Sequence, residues 1–228
     1  MTGGSGLLGR EIVKLNSRVL APSRGKLDIC DEPALAAYID DVSPDIVLHA
    51  AAVTDNRQIE ADPTAALDVN IVGTTNIARA CLGKEIRLVY LSTDYVYKGD
   101  RGNYAETDEL FPSNLYAWTK LAGEAAVRAV PNHLIIRSSF GASRFDYPEA
   151  FADKWSSKDY VDVIAPKILK AAIGSATGVL NIGGPRRTIY DYAAERNPNV
   201  RPVKLSDSSL DSPTDTSLNL DKWESLDD

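Results

Sequence analysis

The sequence predicts an α/β protein built on a doubly wound, parallel sheet. Three observations point there. Helix and strand patterns alternate along nearly the whole chain. The strand-like segments are apolar runs, as strands covered on both faces require. A glycine-rich run opens the first helix, where such sheets bind anionic ligands. The chain has 228 residues, 44% hydrophobic and 25% charged, enough for one core with an elaboration.

The elements follow in order. Residues 7–15 read as a helix, and 18–21 as a short strand that stops at Pro22. Asp31 caps a helix over 33–42, with Pro33 in its first turn, where the missing N–H costs nothing. Residues 46–51, Ile-Val-Leu-His-Ala-Ala, form a buried strand after Pro44 and Asp45. A long helix spans 63–82 and ends near Gly83. Residues 86–91 are a strand running straight into Ser92, Thr93 and Asp94. After a loop rich in Gly, Asp and Pro, a helix over 114–129 stops before Pro131. A strand over 133–137, a helix over 160–173 and a strand over 178–182 close the pattern. The polar, acidic tail from Ser206, with Ser208, Ser209, Pro213, Asp227 and Asp228, reads as loop. The glycine run begins at Gly3, yet this fold needs an apolar strand ahead of it, which Met1 and Thr2 are too short to form. About five further residues are therefore expected before Met1.

Lys and Arg number 25 against 32 Asp and Glu, a net charge of −7. That balance argues against a nucleic-acid partner but allows a small anionic ligand held by a few local donors. Cys30 and Cys81 lack the spacing of a zinc site or a disulfide framework and read as two buried thiols in a reducing cytoplasm. No metal site, leader or membrane span is indicated, so a cytoplasmic protein is expected.

Three patterns carry chemistry. The run Gly3-Gly4-Ser5-Gly6-Leu7-Leu8-Gly9 lets the backbone turn tightly and approach a pyrophosphate lying on the free N–H groups of the helix start; alone, it is equally a glycine-rich turn. Tyr116 and Lys120, four apart on a helix, share a face, so phenol and ammonium reach one cleft. Lowering a tyrosine pKa from about 10 by roughly 3 units takes about 4 kcal/mol, a field that a fixed lysine and an oxidised nicotinamide supply together. As an isolated pair they are a chance feature of an amphipathic helix. Thr93 lies at the exit of a buried strand, where doubly wound sheets place ligands, and its hydroxyl is suited to polarise a substrate carbonyl; otherwise Ser92 and Thr93 are turn residues.

Together these stretches resemble an extended short-chain dehydrogenase/reductase, most closely the dTDP-4-dehydrorhamnose reductase branch, with a Rossmann sheet. The similarity runs through Thr2 to Gly9, Leu27 to Asp31, His49 to Thr54, Ser92 to Tyr97 and Pro112 to Glu124, in the right order. It implies Tyr116 as proton donor, Lys120 as its electrostatic partner and ribose ligand, and Thr93 as carbonyl ligand. It also implies a dinucleotide held by Gly3, Ser5, Gly6, Leu7, Leu8 and Gly9, with Ser23 and Arg24 near the ribose. Asp28 and Ile29 would flank the adenine, Ala50, Ala51 and Ala52 would pass beneath the cofactor backbone, and Tyr116 and Lys120 would complete the site. Asn70 matches a family helix position and reads as a helix-face amide. Arg24, and with it Lys26, would pair with a 2′-phosphate, which favours NADP(H); as solvated loop cations they leave NAD(H) open.

The similarity thins beyond Arg137. Residues 1–140 are expected to form the cofactor domain and 141–228 a small, reduced substrate-binding region, with 160–184 returning a helix and strand to the sheet. The family's Gly-Ser-Pro-Thr-Tyr run is replaced by Ser156-Ser157-Lys158-Asp159-Tyr160. Its closing Arg-Pro-x-x-Ser-x-Leu motif has Ser212 in place of the arginine; Arg144, Lys154, Arg186 and Arg187 are the candidates to compensate, although each by itself reads as an exposed loop cation. The implied activity is NAD(P)H-dependent reduction of the 4-keto group of a nucleotide-activated deoxysugar. The alternatives are a nucleotide-sugar epimerase or dehydratase, and a non-catalytic NADP-binding regulatory subunit; a homodimer fits either class.

Overall fold

In the computed structural model, which describes residues 1–208 and 210–226, the chain opens on helices α1 (Leu7–Leu15) and α2 (Glu32–Val42) and then strand β1 (Ile46–His49). Helix α3 (Asn56–Ala61) precedes a long helical rod, in which α4 (Thr64–Ala66) passes through a π-helical stretch (Leu67–Gly73) into α5 (Thr74–Cys81). Strand β2 (Arg87–Thr93), helix α6 (Leu115–Val127) and strand β3 (His133–Ser138) follow. Short strands come next: β4 (Phe140–Gly141), β5 (Glu149–Phe151), β6 (Trp155–Ser156) and β7 (Asp159–Tyr160). Helix α7 (Val161–Ile173) and β8 (Gly178–Ile182) return to the main sheet, and β9 (Arg187–Thr188), α8 (Ile189–Ala194), β10 (Arg201–Val203) and α9 (Asp221–Glu224) end the chain. The expected loop at Ser209, Asp227 and Asp228 lies outside the described residues.

The central sheet runs β1-β2-β3-β8, parallel throughout, with helices on both faces. Its strands alternate their side chains between two apolar layers. Leu88, Tyr90 and Ile135 meet Leu35, Ile39, Ile77 and Val127, whereas Val89, Leu134 and Ile136 meet Ile12, Ile164 and Ile168. Both layers exclude water, so apolar residues occupy both phases of each strand and the sequence shows a continuous run. Helix starts are set locally: Asp31 Oδ1 accepts from Ala34 N–H at 3.1 Å, and Asn114 Oδ1 from Ala117 N–H at 2.8 Å.

Residues 18–21 do not form the expected strand. Val19 N–H turns back to Asn16 O at 3.1 Å, and Leu20 O accepts from the Met1 amino group at 2.7 Å, so this segment has no ladder to join. On the edge of β1, Thr2 N–H donates to Leu48 O at 3.0 Å and Thr2 bridges His49 in parallel register. Beyond Thr2 that edge faces a cavity of about 500 Å³ lined by side chains such as Ile12, Val19, Ile39, Val47 and Leu169. Cys81 is buried as expected, but Cys30 is only half-buried. No helix among the described residues is long and apolar enough to cross a membrane.

His49 ties the sheet to the chain start and to the long helical rod. Its Nδ1 lies 2.7 Å from Thr2 Oγ1 and its Nε2 2.9 Å from Thr74 Oγ1. Burial, with the nearby Lys120 charge, pushes its pKa down to about 3. The unfolded chain, with an ordinary imidazole near 6.5, takes up a proton that the folded state refuses until far lower pH. Stability is therefore fully present above 6.5 and falls as the pH drops towards 3, by about 1.4 kcal/mol per pH unit inside that window. Urea unfolding between pH 7 and 5 should show this slope, and His49→Gln should flatten it. An unchanged slope in the variant would assign the loss to other groups.

Candidate active site

The glycine loop is shaped by close backbone contact. Gly3 has φ of 73°, and a Cβ there would lie 2.7 Å from Ala50 C and Ala51 N, the backbone that continues β1. Gly9 is equally constrained, since its Cβ would come within 2.3 Å of Gly3 O. Helix α1 can thus press against the loop only with glycine at that position. Gly6 precedes α1 with no side-chain cap, leaving the first-turn amides available to an anion. The resulting cleft of about 260 Å³ is lined by Gly3, Ser5, Gly6, Arg24, Asp28, Ile29 and Ala50 to Ala52 from the expected set, together with Pro22, Val53 and Val69. Ser23, Leu7, Leu8, Gly9, Tyr116 and Lys120 do not line it: Leu8 is on the buried side of α1, Gly9 packs on the loop itself, and Tyr116 and Lys120 lie on α6. A narrow backbone cradle, uncapped amides and an adjacent cation fit the diphosphate of a dinucleotide. Arg24 Nε donates to Asp28 Oδ2 at 3.2 Å on the exposed rim.

Tyr116 and Lys120 project from α6. Tyr116 is half-buried, and burial, reinforced by the charges of Asp94 and Tyr95, pushes its phenol above its ordinary pKa. Lys120 alone does not supply the lowering expected from lysine and nicotinamide together. The reason lies in where the ammonium sits: Lys120 Nζ is over the Tyr90 ring, 4.1 Å from its centroid. Burial brings the Lys120 pKa down to about 7 against the opposing charge of Glu124.

Thr93 ends β2, and its hydroxyl is engaged by the turn that follows. It donates to Asp94 Oδ1 at 3.2 Å and accepts from Tyr95 N–H at 3.3 Å. Asp94 is fully enclosed and also accepts from Thr216 Oγ1 at 2.7 Å and Ser156 Oγ at 3.4 Å. Burial raises its pKa despite these donors.

Several residues here have no local signature in the sequence. Tyr90 supports Lys120 both through its ring and through a hydrogen bond from its hydroxyl to Lys120 O at 3.2 Å. Asn70, expected as a helix-face amide, is buried and clamps Val53: its Oδ1 accepts from Val53 N–H at 2.8 Å while its Nδ2 donates to Val53 O at 2.9 Å and to Thr119 Oγ1 at 2.9 Å. It thereby links the cofactor-side loop to α6, and the π-helical stretch around it is the kind of distortion that marks such sites. Of the four cations expected to compensate for Ser212, Arg144 pairs with Asp146, Arg186 with Asp215 and Arg187 with Asp159 and Glu195. Only Lys154 reaches Ser212, donating to its Oγ. Among the described residues no group of His, Cys, Asp and Glu side chains is arranged to hold a metal ion.

Comparison with known proteins gives a consistent neighbourhood. The family model described as RmlD substrate binding domain matches residues 1–172. A Streptomyces niveus protein named dTDP-4-keto-6-deoxy-D-glucose reductase is 43% identical over 216 residues, covering 85% of this chain and 75% of that one. This and three further curated reductases are matched over 60% to 78% of their own length. Among solved structures, a hypothetical dTDP-4-dehydrorhamnose reductase from Sulfolobus tokodaii has 28% identity and a TM-score of 0.86, over 99% of this chain and 93% of that one. The Bacillus anthracis dTDP-4-dehydrorhamnose reductase in complex with NADP has 24% identity and a TM-score of 0.87, over 99% and 90% of the two chains.

Proposed function

Because the chain belongs to the RmlD substrate-binding domain family, we propose that it reduces the 4-keto group of a nucleotide-activated deoxysugar, with NADPH preferred over NADH. The observation that carries this reading is the half-buried Tyr116 on one helix with the buried Lys120, in a chain whose Thr93 ends the neighbouring strand β2. The glycine cradle stands ready for a diphosphate, and Arg24 on its rim supports the choice of NADPH by matching a 2′-phosphate. When bound, the dinucleotide supplies the hydride. Tyr116 gives its proton to the carbonyl oxygen as negative charge develops there, and Lys120 stabilises the phenolate left behind once its ammonium swings from the Tyr90 ring to the phenol. Thr93 exchanges its bond to Asp94 for one to the same oxygen.

The test is turnover of dTDP-4-keto-6-deoxyglucose, following NADPH absorbance and sugar product together. One NADPH consumed per keto group lost is expected, with a slower reaction from NADH. Sugar interconversion without net NADPH consumption would instead indicate an epimerase. Cofactor binding with no turnover across a panel of 4-keto nucleotide sugars would indicate a regulatory subunit.

A further inference from the structure

We propose that Lys154 and Lys158 form the seat for the diphosphate of the nucleotide-activated substrate. This rests on the substrate class proposed above and adds the residues that recognise it. The argument starts from the cations of the C-terminal part of the chain. Its arginines are engaged by carboxylates: Arg144 with Asp146, Arg186 with Asp215, Arg187 with Asp159, Arg196 with Asp162 and Arg201 with Glu149. Lys154 and Lys158 have no such ion pair among the described residues, although Lys154 is buried and Lys158 half-buried. Enclosed ammonium groups without a counter-ion are costly, and they persist where an anion completes them.

The two side chains are held by a built frame. They flank β6, which pairs with β9 and is fixed from the tail by Trp155 N–H to Thr214 O at 2.8 Å and Thr216 N–H to Trp155 O at 3.1 Å. Lys154 Nζ donates to the Tyr95 hydroxyl at 3.2 Å and to Ser212 Oγ. It therefore supplies positive charge at position 212, where the chain itself has only a hydroxyl. Lys158 packs its stem against Gly141, where an added Cβ would come 3.2 Å from its Cε, and its ammonium lies 5.8 Å from the Tyr192 ring centroid. The one carboxylate acting on both lysines is Asp94. It already accepts three hydroxyl hydrogen bonds, and burial drives it towards its neutral form. Burial also lowers the pKa of both ammonium groups, and Lys154 pushes Lys158 down further, a repulsion that a bridging dianion removes.

The location follows from shared neighbours. Asp94 and Tyr95 are the groups whose charge acts on Tyr116, and they are also what Lys154 and Lys158 approach. Neither lysine lines the cleft beside the glycine loop, so the seat is separate from the dinucleotide diphosphate. A sugar linked to a diphosphate there would reach back towards the Tyr116 hydroxyl.

Calorimetric titration of the NADPH-saturated enzyme tests this, with dTDP, thymidine and inorganic pyrophosphate as probes. Lys154→Gln and Lys158→Gln should each weaken dTDP binding by about tenfold or more, the usual loss for a charge-assisted contact. Thymidine affinity and NADPH affinity should stay within about twofold, the latter also showing that each variant is folded. Lys154→Arg should restore dTDP binding. If the parent binds dTDP and reduces the keto sugar while both glutamine variants bind dTDP as the parent does, the seat is wrong and the reductase reading survives. If the parent binds pyrophosphate but no nucleoside diphosphate, and the variants lose it, the seat stands and the substrate class is wrong. Equal losses for thymidine and dTDP, or a parent that binds none of the probes, would overturn the seat.

Discussion

Replacing Tyr116 with Phe is expected to cut kcat by about a hundred- to ten-thousand-fold while leaving NADPH affinity within about twofold. The substitution keeps the ring that α6 presents and removes only the O–H. At about 1.4 kcal/mol per tenfold, the loss corresponds to roughly 3–5 kcal/mol of transition-state stabilisation. Burial and the charges of Asp94 and Tyr95 keep the proton on this phenol well above its ordinary range, so the acid needed for reduction is in place at neutral pH. Rate against pH for the parent should fall as the pH rises through about 7, where Lys120 loses its proton, while Tyr116 keeps its own. Lys120→Met should differ from Tyr116→Phe by weakening dinucleotide binding as well as turnover. Steady-state kinetics and fluorescence titration with NADPH separate the two; a Tyr116→Phe enzyme within about tenfold of the parent kcat would mean that another group delivers the proton.

The central sheet was legible because its cause is local in composition. Strands buried on both faces must be apolar in both phases, so runs such as Leu88-Val89-Tyr90 announce themselves. Residues 18–21 carry a strand-like pattern too, but a strand exists only where a neighbour supplies the other half of the ladder, and that is not written in the segment itself. The site divides in the same way. That Tyr116 and Lys120 share one helix was legible from their spacing, as was the need for glycine at Gly3 and Gly9 from the run that holds them. The state of Tyr116 was not, because its environment comes from Asp94 and Tyr95 on a different element, and burial outweighs a lysine whose ammonium is turned to the Tyr90 ring. Asn70 and Lys154 were seen as ordinary surface chemistry for the same reason: Val53, Thr119, Tyr95 and Ser212 meet them only after folding.

Removing the charge of Glu124 is expected to destabilise the protein by about 3–5 kcal/mol, because it strands a buried guanidinium. Glu124 on α6 and Arg137 on β3 each expose 1% of their side chains. Arg137 Nε donates to Glu124 Oε1 at 3.0 Å and Nη2 to Oε2 at 2.7 Å, a two-point pairing, while Nη1 reaches the Tyr97 hydroxyl at 2.8 Å. Burial by itself would push the guanidinium pKa down, but the hydrogen bonds and charge of Glu124 more than reverse this and hold it above its ordinary value. Ser92 Oγ donates to Glu124 Oε1 at 2.6 Å, so one carboxylate fastens α6 to both β3 and the end of β2 beside Thr93. For a chain of this size, Glu124→Ala should lower Tm by roughly 6–20 °C. It should also depress kcat at temperatures where the variant is still folded, since α6 carries Tyr116 and Lys120 and loses its tether to Ser92, the neighbour of Thr93. The double variant Glu124→Leu with Arg137→Met removes both charges and should melt higher than Glu124→Ala, because an apolar pair of similar volume leaves no stranded ion. Recovery of stability without recovery of kcat would separate the two roles of the pair, whereas a Glu124→Ala protein that melts within about 2 °C of the parent would mean that water reaches Arg137 and the pair is not load-sharing between helix and sheet.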